Sequence, residues 1–140
     1  MTDLKPRLGT DIEWHHLNAK GAVLGRLATE AAGLLQGKHR PDWAPNTLAA
    51  TRVVITNTDE VAVTGRKEDQ KMYRRYSGYP GGLRERTLRD QRRRDSRKIV
   101  ESAVSGMLPH NTLRAQLMRH LLLYANESHP HEAQLPTREN

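Results

Sequence analysis

The 140-residue sequence has no cysteine, no phenylalanine and only six aromatic residues, two Trp and four Tyr. Without cysteine, disulfides, thiolate zinc sites and thiol nucleophiles are all excluded, so any chemistry would fall to His, carboxylates or hydroxyls. Without phenylalanine, Leu, Val, Ala and Ile must do nearly all the packing. At 36% hydrophobic residues and a mean hydropathy of −0.80 the core is lean, which leaves room for a partner to contribute to stability. There is no apolar run of about 18 residues and no signal-peptide hydrophobic segment, so neither a membrane span nor secretion is expected. No internal repeat is visible. A chain of this length fits one domain that buries about two-thirds of its unfolded surface.

What the sequence does have is positive charge, unevenly placed. The net charge is +7 and the isoelectric point about 10.1. Thirteen of the 23 Lys and Arg lie within residues 66–98 against five acids, a local charge of +8, while the remainder carries −1. A nearly neutral body therefore holds a cationic extension, and its natural partner is an intracellular polyanion. The same stretch contains Tyr73-Arg74-Arg75-Tyr76-Ser77-Gly78-Tyr79-Pro80-Gly81-Gly82. Arg forks grip phosphates bidentately and tyrosine rings stack on bases. Pro80 restricts Tyr79 to extended geometry, while Gly81 and Gly82 permit positive φ and close backbone approach. A disordered arginine-rich tail would not need this stereochemistry, so the stretch reads as a folded extension fitted to a structured RNA. Residues 89–98 alone read equally well as a solvated charged helix, with Asp90 and Asp95 limiting self-repulsion through ion pairs.

Along the chain, residues 1–13 mix Pro, Gly, Asp and Lys without period and predict a flexible arm, with a short strand following over residues 14–17. Leu24, Leu27, Ala28, Ala31 and Leu35 recur at helical spacing, and Gly37 supplies the stop. Arg52-Val53-Val54-Ile55-Thr56 predicts a central strand covered on both faces. Asn57 to Glu60 turns the chain into Val61-Ala62-Val63, a further strand segment closed by Gly65. Strand, helix, strand is the pattern of a parallel crossover unit, hence an α/β sheet. Ile99, Val100, Ala103, Val104 and Met107 predict a second helix ended by Gly106 and Pro109. Leu113, Leu117 and Leu121 suggest a third with Asn111 at its N-cap, and residues 121–124 fit either its end or a final strand. The expected organisation is a flexible arm over 1–13, one domain over 14–136 containing the basic extension 66–98, and a tail over 137–140.

Three groups of residues resemble reaction or metal centres, and each has a simpler reading. Gly37-Lys38-His39 lacks the glycine five positions earlier and the Ser or Thr that a phosphate loop requires, so Lys38, His39 and Arg40 read as a phosphate-contacting cluster or plain surface charge. His129-Pro130-His131 is short of the three or four ligands zinc needs, so structural or RNA-contacting histidines are favoured over a metal site. His15 and His16 are adjacent on a strand, point to opposite faces and read as ordinary strand residues. No nucleophile with a base and no carboxylate pair in an apolar setting stands out, so no enzyme is expected.

The blocks Leu24-Gly25-Arg26-Leu27-Ala28, Gly37-Lys38-His39, Val63-Thr64-Gly65, Arg75-Tyr76-Ser77-Gly78-Tyr79-Pro80-Gly81-Gly82, Gly106-Met107-Leu108-Pro109, Tyr124-Ala125 and His129-Pro130-His131 resemble, in order and spacing, the large-subunit ribosomal protein thirteen family of bacterial type. The resemblance covers about residues 14–136. It implies a three-layer α/β/α domain around a mainly parallel four-stranded sheet with a basic loop extension. It also implies binding to large-subunit ribosomal RNA beside neighbouring large-subunit ribosomal proteins, and support of early subunit assembly. No catalysis, cofactor, metal, membrane or small-molecule substrate is implied. By the same resemblance Arg26, Lys38, His39, Arg40, Arg66, Lys67, Arg74, Arg75, Tyr76, Ser77, Tyr79, His129 and His131 are expected to face RNA, and Gly25, Gly78, Gly81, Gly82, Gly106 and Pro109 to shape the backbone. Lys71, Gly78, Pro80, Gly81, Gly82, Arg84, Arg86, Arg114 and Arg119 complete the expected RNA-facing set.

Residues 89–98 are more arginine-dense than the family's usual stretch. His110, Leu113-Arg114-Ala115, Asn126 and the loop 46–51 also depart from its pattern. The charge pattern alone would also allow a free-standing RNA- or DNA-binding regulator. The three acids among residues 1–13 do not suit an organellar transit peptide, so the bacterial cytoplasm is expected ahead of an organellar ribosome, to which a mature chain could also belong.

Overall fold

The computed structural model describes residues 12–136. Strands β1 (Glu13–Asn18), β2 (Thr51–Thr56) and β5 (Leu121–Leu123) form a parallel sheet in the order β1-β2-β5. The β-branched run of β2 takes the centre, as its composition predicts, with Thr51, Val53, Val54, Ile55 and Thr56 all buried. Glu13 lies opposite Thr51 and Asn18 opposite Thr56, while Val53 to Ile55 pair with Leu121 to Leu123. The ambiguous apolar run after residue 120 is thus a strand, because only the extended form completes β2's hydrogen bonds on that side.

Helix α1 (Leu24–Gln36) buries Leu27, Ala28, Ala31, Ala32 and Leu35 on one stripe. Gly37 ends it at φ +72°, with its N–H bonded to the Leu34 carbonyl at 3.0 Å and the Lys38 N–H to the Gly33 carbonyl at 3.2 Å. This is a left-handed C-terminal closure. A Cβ at Gly37 would lie 2.7 Å from that of Ala49, so the site excludes a side chain as well as favouring the conformation. Helix α4 (Arg97–Met107) buries Ile99, Val100 and Val104 and runs through Gly106, stopping only at Leu108 before Pro109. Helix α5 (Leu113–Arg119) starts where Asn111 Oδ1 accepts the Leu113 N–H at 3.1 Å.

Side chains of α1, α4 and α5 join Val53, Ile55 and Leu121 in one core cluster. The steps β1 to β2 and β2 to β5 cross the sheet in the same direction, and crossovers of one hand then put their helices on the same face. The opposite face carries Trp14 and His16, and the segment after β5 covers it. His131 packs on Trp14 with ring centroids 5.3 Å apart, His129 on His16 at 5.6 Å, and Tyr124 Oη bonds His131 Nε2 at 2.7 Å. Arg52 stacks over Trp14 at 5.2 Å.

Two sequence expectations therefore change in detail. Among the described residues the second layer is this histidine-bearing segment, and the strand expected at Val61-Ala62-Val63 is a single parallel bridge between Ala62 and Val23. The architecture is mixed α/β, a three-stranded parallel sheet with a separate antiparallel pair. Within the described residues, no helix is long and apolar enough to cross a membrane. The expected arm over 1–13 lies outside the described residues except for its last two, with Glu13 already in β1, and the tail 137–140 lies outside them entirely.

Candidate nucleic-acid interface

The cationic extension, expected as a loop, contains a β-hairpin. Helix α2 (Lys67–Gln70) leads into β3 (Met72–Tyr76), which pairs antiparallel with β4 (Leu83–Thr87), and helix α3 (Leu88–Asp95) follows at once. Thr87 caps α3 by accepting the Asp90 N–H at 3.2 Å, so Asp90 serves the cap. The strands escaped sequence reading because they bury little and show no apolar alternation. The available signal was the glycine- and proline-rich hexapeptide between two polar runs of equal length.

Turn geometry fixes the hairpin's tip. Gly78 has φ +89° and Gly81 φ +71°, whereas Gly82, expected to share this freedom, does not adopt positive φ. Gly82 is required for space. A Cβ there would sit 2.0 Å from Ser77 Oγ and 2.9 Å from the Tyr79 carbonyl oxygen. Its N–H donates to that same carbonyl at 2.9 Å. Tyr79 stands outward at the tip, 76% exposed, with Tyr76 at 64% and Leu83 at 55%.

Residues directly opposite in an antiparallel pair share a face. One face holds Tyr73 opposite Arg86 and Arg75 opposite Arg84; the other holds Met72, Arg74, Tyr76, Leu83, Glu85 and Thr87. On the second face Arg74 Nε lies 2.6 Å from Glu85 Oε1, which neutralises both. The first face has no acid in its own strands, and Glu68 of α2 is the acid that acts on Tyr73 at its base. Arg86 there donates to Gln91 Oε1 at 3.1 Å, and Tyr73 is half-buried, its hydroxyl held above the usual range by that burial. The hairpin thus offers a cationic face and a face bearing an exposed aromatic and aliphatic row. Cationic side chains suit phosphates, and exposed rings suit unstacked bases.

The arginine-dense helix behind it divides by role. Arg92 donates to the Asp59 carbonyl at 2.8 Å, the Val61 carbonyl at 2.9 Å and Glu68 Oε1 at 2.5 Å, tying α3 to both the body and α2. Arg89 pairs with Asp69 at 2.9 Å. Arg97 pairs with Asp95 at 2.9 Å, a hydrogen bond that holds this carboxyl below the usual range despite the opposing effect of burial. Arg93 and Arg94 are exposed. Composition alone did not reveal Arg92 as a brace.

Other expected RNA-facing residues fall in several places. Arg26 is exposed on α1, Arg66 precedes α2, Lys67 Nζ reaches Thr64 Oγ1 at 3.3 Å, and Lys71 stands 6.0 Å over the Tyr73 ring. Lys38, His39 and Arg40 follow the end of α1; Lys38 is exposed, His39 contacts Glu13 at 3.0 Å, and Arg40 pairs with Asp42 at 3.0 Å. Arg114 contacts His110 Nδ1, and Arg119 is exposed at the end of α5. His129 and His131 are half-buried against the sheet, with part of their polar capacity used internally. The structure brings Tyr73, Arg75, Arg84 and Arg86 onto one face of the hairpin, with Arg75 and Arg84 exposed and Tyr73 and Arg86 partly buried, and leaves Arg26, Lys38, Arg114 and Arg119 elsewhere.

A family model described as Ribosomal protein L13 matches residues 12–130. The chain is 52% identical over 124 residues to the large ribosomal subunit protein uL13 of Desulfitobacterium hafniense, covering 89% of this chain and 87% of that one. It is 48% identical over 125 residues to uL13 of Thermus thermophilus, covering 89% of each. It is 46% identical over 137 residues to uL13 of Mycobacterium leprae, covering 97% of this chain and 93% of that one. With the family model spanning most of its length and relatives this similar along nearly all of it, the chain belongs to the ribosomal protein L13 family.

Proposed function

We propose that this chain is a structural constituent of the large ribosomal subunit that binds large-subunit ribosomal RNA through the β3–β4 hairpin, without catalysing a reaction. The observation that carries this reading is the outer part of the hairpin, where exposed Arg75 stands opposite exposed Arg84 with no acid in register, beside an exposed Tyr76, Tyr79 and Leu83. Phosphate contacts from the arginines would fix placement, and the rigid tip would read local RNA shape. Lys38, Arg66, Lys67 and Lys71 add phosphate contacts, and neighbouring subunit proteins complete the surroundings. A protein that orders RNA in this way supports early subunit assembly, in the cytoplasm of a bacterium.

Sedimentation tests the placement. The protein should remain with large subunits through a gradient at moderate salt. Recovery in the light fractions would instead mark a free-standing RNA- or DNA-binding regulator. With about six to ten phosphates contacted, affinity for isolated ribosomal RNA should fall on the order of a thousandfold or more between 50 and 200 mM salt, and a flat response would remove the electrostatic basis.

A further inference from the structure

Glu13 and His15 are two residues apart on β1, so they share one face of the strand. The chain returns after α1 to set His39 beside them. Glu13 Oε1 lies 3.0 Å from His15 Nε2, and Glu13 Oε2 lies 3.0 Å from His39 Nε2. The two imidazoles meet edge to face with centroids 5.1 Å apart. Each residue offers one ligand atom, and all three atoms fall within 4.8 Å of one another. His15 Nε2 is buried and makes no hydrogen bond, although the Glu13 carboxylate stands 3.0 Å away.

We infer that Glu13, His15 and His39 form a binding site for one divalent transition-metal ion of the zinc class. Two imidazole nitrogens and a carboxylate oxygen are a donor set that zinc accepts, with water in the fourth position. Tetrahedral zinc spaces its donors about 3.3 Å apart, close to either Glu13–His distance; the two contacts use opposite carboxylate oxygens, so the three donors close on the ion from a spread of up to 4.8 Å. A cation between the groups would supply the partner that His15 Nε2 lacks. The His39 side chain, 33% exposed, leaves an entry path. Arg40, 3.8 Å from Glu13, is the competing cation, and it retains Asp42 at 3.0 Å when displaced. The histidine pair that sequence spacing singles out is less suited, since His131 Nε2 is bonded to Tyr124 and His129 Nδ1 accepts the His131 N–H. The bound ion would pin edge strand β1 to the end of α1, independently of any RNA.

The full-length protein, stripped with chelator and free of RNA, is titrated with zinc chloride by calorimetry at pH 7.5. One ion per chain is expected, with a melting temperature that rises on zinc addition. His39→Gln should weaken binding by about tenfold or more and abolish the rise, and Glu13→Gln, judged by the same criterion, is the second variant should the first not fold. The double variant His129→Gln, His131→Gln should bind as the parent does. No binding, full affinity in the Glu13 and His39 variants, or loss of binding only in the His129, His131 variant would overturn the site.

Discussion

Arg75 and Arg84 stand directly opposite each other across the hairpin, two positive charges in register on one face. Like charges so placed destabilise a strand pair, by up to roughly 1 kcal/mol. An anion between them reverses the sign of that term. Arg84→Gln should therefore leave the free protein slightly more resistant to urea, by a few tenths of a kcal/mol on the order expected for such pairs. It should weaken ribosomal RNA binding and reduce the salt slope by about one. Denaturation and filter binding check the two halves separately.

Gly82 is a packing position. Gly82→Ala would drive a methyl group into Ser77 Oγ and the Tyr79 carbonyl, deforming the tip without touching the core. The global unfolding midpoint should hold while RNA affinity drops. Adding Ser77→Ala should not restore affinity, because the Tyr79 carbonyl, 2.9 Å from the new methyl, belongs to the backbone and cannot swing away.

Arg92 carries the mechanical link between extension and body. Arg92→Ala leaves two carbonyls and the Glu68 carboxylate without their donor and should cost about 2 kcal/mol. Arg92→Lys should recover little, since one ammonium cannot reproduce the planar fork. Hydrogen exchange should show the loss first in α3 and the hairpin and only later in α1.

Stability should fall in mild acid because of His120. Burial, assisted by the nearby Arg52, pushes its imidazole below the ordinary value, a hydrogen bond with the Thr51 backbone opposing them. The unfolded chain thus binds the proton more readily than the folded one. The contribution is complete above the unfolded value of about 6.5 and is lost as pH drops from there through the folded value. Urea midpoints measured between pH 7.5 and 5.5 should decline, and His120→Gln should flatten that decline.

Much of the body was legible in the sequence. Leu24, Leu27, Ala31 and Leu35 marked α1, Gly37 its end, and Val53-Val54-Ile55 a central strand, because each of these residues answers to burial. The hairpin was legible only as charge and turn chemistry. Apart from half-buried Tyr73, its strands meet no core that would impose an apolar alternation, so Tyr73 to Tyr76 read as a loop. The face of the sheet covered by His129 and His131 was hidden for another reason: a three-layer expectation needs strand order to reverse, and order is not written in local pattern. Glu13, His15 and His39 likewise meet only through the fold.

Cross-linking of the protein to RNA in intact large subunits, resolved residue by residue, bears most directly on the hairpin as the RNA grip. Adducts should concentrate on residues 72–87, with a second group at Lys38 to Arg40. Adducts spread evenly over the surface, or a hairpin without any, would contradict it.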